Sequence, residues 1–181
     1  MNLPNKLTLL RIAIVPFFVL ALVNSLNSLT MQIISLILFL GANVTDILDG
    51  YIARSRNMIT DFGKFVDPIA DKLLVASAII CLVELGSLKA WVAILIIGRD
   101  FIISGFRLVA ANKGIVIAAS KLGRSKTVSQ CIMICLLIFN FPSLVLINDI
   151  SIIICVILTI VSLLDHMKRN ISVLSDVIEN K

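Results

Sequence analysis

An all-α integral membrane protein of six transmembrane helices, with a short N-terminal cytoplasmic juxtamembrane segment, is the fold class that this sequence predicts. Three observations predict it. The 181 residues are 59% hydrophobic and only 15% charged, with a mean hydropathy of +1.08, whereas a soluble domain runs at roughly half apolar and a quarter charged. The apolar residues gather into six runs, most of them near the ~20 residues that a helix needs to cross hydrocarbon. The basic residues fall on alternate connections between those runs, as the positive-inside rule requires.

The runs are about Leu7–Leu26, Met31–Ile52, Pro68–Leu85, Ala90–Ala110, Thr127–Ile147 and Ile150–Met167. Ahead of the first, Met1–Lys6 is short and polar, and Leu7–Val23 lacks a small-residue cleavage site, so the first run reads as a retained helix. Pro68 either opens the third helix at its first position or kinks a helix already begun near Thr60. The runs lie too close together for a separate soluble domain, which makes residues 1–181 a single membrane domain. Lys6, Arg11, Arg54, Arg56, Lys64, Lys72, Arg107, Lys113, Lys121, Arg124, Lys126, Lys168, Arg169 and Lys181 share one side, and only Lys89 marks the short outer connections. Both termini are therefore expected in the cytoplasm. The net charge of +5 suits anionic lipid and phosphorylated substrates, and no basic patch interleaved with aromatics argues for nucleic acid. Cys81, Cys131, Cys135 and Cys155 sit in apolar stretches and read as packing residues. The sole histidine, His166, reads as an interfacial residue.

Five of the eleven acidic residues fall between positions 46 and 71: Asp46, Asp49, Asp61, Asp67 and Asp71. Asp46 and Asp49 are three apart and Asp67 and Asp71 four apart, the separations that place side chains on one helix face. Two adjacent antiparallel helices could thus aim four carboxylates into one space. Carboxylates at membrane depth cost several kcal/mol each, and clustering raises the cost. A hard divalent cation resolves the conflict, because oxygen-only ligands suit Mg²⁺ or Mn²⁺. Two such ions would suit a phosphoryl displacement. Gly50 and Ala53 leave a strip free of bulky side chains, and Arg54 either pairs with a phosphate or complements the helix C-terminus.

The stretch Asp46-x-x-Asp49-Gly50-x-x-Ala53-Arg54, followed after eight residues by Gly63-x-x-x-Asp67-x-x-x-Asp71, resembles the CDP-alcohol phosphotransferase signature at every fixed position. The resemblance implies a homodimer of six-helix subunits, in a bacterial cell membrane, with the active site open to the cytoplasm. It implies that Asp46, Asp49, Asp67 and Asp71 hold two metal ions, that Asp71 is also the general base, and that Gly50, Arg54 and Thr60 contact the CDP moiety. Pro4-Asn5-Lys6-Leu7-Thr8-x-x-Arg11 is similar to the family's N-terminal segment, which adds Asn5 and Thr8 to the nucleotide site. Phe62–Lys72, Arg99-Asp100-Phe101, Ser104–Arg107 and Gly123–Thr127 look like the bacterial phosphatidylglycerophosphate synthases within that family. The departures are Asp100 where a Glu is expected and Arg124 where a Lys is expected; both keep the charge.

The residues themselves point to an anionic acceptor. Arg99 lies inside a membrane run, where an ionisable side chain is functional or paired with its neighbour Asp100. Arg107 follows eight residues on, roughly 80° around the helix axis, and Lys121, Arg124 and Lys126 enter from the next cytoplasmic segment. Arg99, Arg107, Lys121 and Lys126 are the candidate ligands of glycerol 3-phosphate, with lipid-headgroup contact as their bland alternative. The expected reaction moves a phosphatidyl group from CDP-diacylglycerol to glycerol 3-phosphate in the plane of membrane lipid. Phosphatidylserine, phosphatidylinositol-phosphate and cardiolipin synthases are rivals within the family. A prenyltransferase would need a second acidic motif in the later half, and a metal-ion transporter leaves Gly50, Ala53 and Arg54 unexplained.

Overall fold

The computed structural model describes residues 3–55, 61–112, 120–141 and 144–170. Among them the chain forms six α-helices, one short 3₁₀ turn and no strand: α1 (Leu3–Val23), the turn Ser25–Asn27, α2 (Leu29–Ser55), α3 (Asp61–Glu84), α4 (Ala90–Asn112), α5 (Lys121–Phe139) and α6 (Val145–Arg169). The all-helical expectation holds. α5 and α6 are each long and apolar enough to cross a membrane. The outer faces agree, since Phe17, Ile37, Ile94, Leu108 and Leu146 are exposed, whereas soluble monomers rarely expose large contiguous apolar surface.

Several boundaries differ from those that hydropathy predicts. The polar residues Pro4–Lys6 lie within the first turn of α1. α3 begins at Asp61, so Pro68 falls inside a helix already under way. α5 ends at Phe139 and α6 begins at Val145, so Val145–Ile147 belong to the sixth helix instead of the fifth run. Asn140 takes a left-handed φ of 28° and its N–H returns to the Leu136 carbonyl at 3.1 Å, closing α5 as Asn does at helix C-termini.

The chain forms two compact units. In the first, Met1–Leu88 with Leu137–Phe139, α1 packs on both α2 and α3, which also touch each other. Phe18 and Phe39, both fully buried, meet with ring centroids 5.8 Å apart. Buried Arg11 on α1 donates through Nε to the Ala42 carbonyl of α2 at 3.3 Å, which ties α1 to the turn just before Asp46. Gln32 donates to the carbonyls of Ile138 and Phe139, both at 2.9 Å. α3 ends in a Schellman motif: Gly86, at φ +73°, donates to Val83, and Ser87 donates to Leu82.

The second unit, Lys89–Leu136 with Asn140–Lys181, packs α4 on α6. Asn148, Ser151, Cys155, Thr159, Ser162 and His166 form the buried face of α6, while Leu146, Ile153, Ile157 and Leu164 are exposed. That polarity is inverted relative to a soluble helix and suits lipid outside. The hydroxyls bond within their own helix, Ser151 to Asn148, Thr159 to Cys155 and Ser162 to Thr159.

Candidate active site

The acidic motif spans α2 and α3. Asp46, Asp49, Gly50 and Arg54 occupy the last ten residues of α2, and Asp67 and Asp71 the first half of α3. The two helices are in contact, so the pairs at three- and four-residue spacing lie on neighbouring elements as the sequence requires. The side chains of these six residues and of Asn5 lie outside the described residues, and so does Thr60 altogether. Thr8, on α1, is buried. As a donor set, four carboxylates on two touching helices fit a hard divalent cation, which takes oxygen ligands.

The basic cluster lies in the second unit and its geometry is explicit. Lys126, one turn into α5, is 1% exposed. Its Nζ donates to both oxygens of Asp100, each at 2.7 Å, and to Gln130 Oε1 on the next turn of its own helix. An ammonium has three N–H donors, and all three are engaged. Arg99 donates from Nη1 to Asp100 Oδ1 at 3.0 Å, and its buried Nε has no hydrogen-bond partner among the described residues. Burying Lys126 unpaired would cost several kcal/mol; the Asp100 carboxylate offsets that cost.

α5 is started by Ser120, whose Oγ accepts from the Gly123 N–H at 3.0 Å. A Cβ on Gly123 would stand 3.6 Å from Arg99 Nη2, an ordinary contact distance that places the guanidinium beside the first turn of α5. Lys121 and Arg124 are exposed on that turn. They open a groove of about 640 Å³ whose walls include Ser125, Ser129, Ile132, Ser151 and Ile154. Arg107, two turns beyond Arg99 on α4, is exposed.

Two features escape a reading of the sequence by type alone. Lys126, expected as an acceptor ligand, has its ammonium held by Asp100 and Gln130. His166, expected at the interface, is 3% exposed, stands edge-on to Phe106 at 5.8 Å, and has no partner for either ring nitrogen among the described residues. The signal for His166 was the 3- and 4-residue spacing of small and polar side chains along α6, which marks a buried face.

Residues 1–161, which contain both the acidic and the basic segments, match the CDP-alcohol phosphatidyltransferase family. The chain belongs to that family. Among its relatives, the CDP-diacylglycerol–glycerol-3-phosphate 3-phosphatidyltransferase of Bacillus subtilis is 40% identical across 93% of this chain and 95% of its own length. Proteins of the same name from Rickettsia bellii and Haemophilus influenzae are 37% and 36% identical. These matches cover 92% of this chain in both cases, and 94% and 92% of the respective relatives. As a member of the family the chain is a membrane-embedded transferase.

Proposed function

We propose that this chain transfers the phosphatidyl group of CDP-diacylglycerol to glycerol 3-phosphate, giving phosphatidylglycerophosphate and CMP. The observation that carries the reading is the reach of the match. Relatives named for that reaction align over nine-tenths of the chain, through the aspartate-bearing helices and the basic α4–α5 segment alike. The cationic cluster supports the acceptor, since a neutral alcohol such as serine would not require it.

In this reading Asp46, Asp49, Asp67 and Asp71 hold two Mg²⁺ or Mn²⁺ ions, which when bound neutralise charge on the pyrophosphate oxygens. Asn5, Thr8, Gly50, Arg54 and Thr60 hold the CDP moiety. Arg99, Arg107 and Lys121 orient the acceptor phosphate by charge-assisted contacts, and Lys126 acts on it through Asp100. The Asp71 carboxylate takes the proton of the acceptor's C1 hydroxyl. That oxygen attacks the β-phosphorus of CDP-diacylglycerol. As the new P–O bond forms, the bond to the bridging oxygen breaks and CMP leaves with the electron pair. The enzyme works as a homodimer in the bacterial cell membrane, one membrane domain per subunit, with both termini and the site facing the cytoplasm.

The test is purified enzyme with CDP-diacylglycerol and, in turn, glycerol 3-phosphate, serine, inositol phosphate and phosphatidylglycerol, following CMP release. Glycerol 3-phosphate should give the fastest release, EDTA should abolish it, and Mg²⁺ or Mn²⁺ should restore it. Faster release with another acceptor would overturn the substrate, and full rate in excess EDTA would overturn the metal.

A further inference from the structure

We infer that Asp100 is a positioning residue for the acceptor site: anchored by Lys126, it sets the direction of the Arg99 guanidinium that receives the acceptor's phosphate. This rests on the proposed transfer to glycerol 3-phosphate. Three observations lead to it. Asp100 joins the two cations, accepting from Arg99 Nη1 at 3.0 Å and from Lys126 Nζ at 2.7 Å. Lys126 is buried with every donor engaged, so it cannot reach a ligand without giving up a partner, and its effect passes through the carboxylate it holds. Arg99, whose side chain is 10% exposed, keeps a buried Nε with no partner among the described residues.

Charge points the same way. Two cations and one carboxylate leave one positive charge in excess, carried by the partner whose donors are not all engaged. A phosphate monoester is what such a site takes, through further charge-assisted bonds to the guanidinium. Nη2 of Arg99 lies beside the first turn of α5, 3.6 Å from where a Cβ on Gly123 would stand. Asp100 therefore fixes one edge of the guanidinium, through the bond from Arg99 Nη1. A 1 Å misplacement of a binding group is enough to lower efficiency by a large factor.

Asp100→Asn tests this, because it keeps shape but removes the charge that holds both cations. The KM for glycerol 3-phosphate should rise about tenfold or more, as expected for a misdirected charge-assisted contact. The KM for CDP-diacylglycerol and kcat should stay within about twofold. Asp100→Glu should recover most of the loss, since it restores the charge to Arg99 and Lys126. Equal rises in both KM values, a fall in kcat alone, or no change would overturn the inference and leave Asp100 as scaffold. If Asp100→Asn does not accumulate in membranes, Lys126→Arg is read instead. It keeps a cation on Asp100 with altered geometry, and the same selective rise is expected; an unchanged ratio of the two KM values would overturn the inference. Failure of the underlying reaction is distinguishable, because wild-type enzyme would then release no CMP with glycerol 3-phosphate.

Discussion

At the scale of single residues, Asp100 and Asp71 have different proposed tasks. Asp100 is an acceptor between two cations on adjacent helices, and nothing in that arrangement calls for it to move a proton. Asp71 is the last acid of the motif, on α3, and its proposed task is to take the proton of the attacking hydroxyl. Asp71→Asn should lower kcat by about 10²–10⁴-fold, the usual cost of removing a general base, while binding of CDP-diacylglycerol persists. A rate above about a tenth of wild type, measured as CMP release at saturating substrates, would move the base to another residue. The pairing of Lys126 with Asp100, 26 residues away, could not be read from residue type, since a lysine at the start of a helix looks the same whether its partner is solvent or a buried carboxylate. Arg99 beside Asp100 was legible, because an arginine inside an apolar run has few stable options.

At the scale of elements, hydropathy located six helices and misplaced their ends. Hydropathy joined Val145–Ile147 to the fifth run, whereas they open α6; Asn140 followed by Pro142 is a stop signal of the ordinary kind. The motif spacing in α2 and α3 was legible because three- and four-residue intervals have one geometric meaning on a helix. The buried face of α6 was equally periodic, but its members are small and polar, a pattern that marks the interior only when the solvent is lipid. Turn chemistry makes a separate prediction. Gly86 closes α3 with a left-handed φ that costs a residue bearing a Cβ about 1–2 kcal/mol. Gly86→Ala should therefore lower the thermal stability of the detergent-solubilised enzyme without altering the KM for either substrate. Unchanged stability would mean that the turn relaxes to another form.

At the scale of the whole molecule, topology is the property to test. Lys89 and Arg169 lie in segments that the proposed orientation puts on opposite sides of the membrane, Lys89 outside. A membrane-impermeant maleimide added to intact cells should label Lys89→Cys, and should reach Arg169→Cys only after lysis, in a background where the four native cysteines are replaced. The reverse pattern would invert the protein. The length of α2 has one further consequence. Its 27 residues span about 40 Å at ~1.5 Å each, against roughly 30 Å of hydrocarbon, so the proposed orientation puts the C-terminal end of α2, with the acidic motif, at the cytoplasmic headgroups. In the proposed reading, a reaction centre at that height reaches the headgroup of a lipid whose tails stay where they are. Lifting two chains of a dozen methylenes into water would cost on the order of 20 kcal/mol at about 0.8 kcal/mol each. On that reading, the length of α2 spares every turnover that extraction.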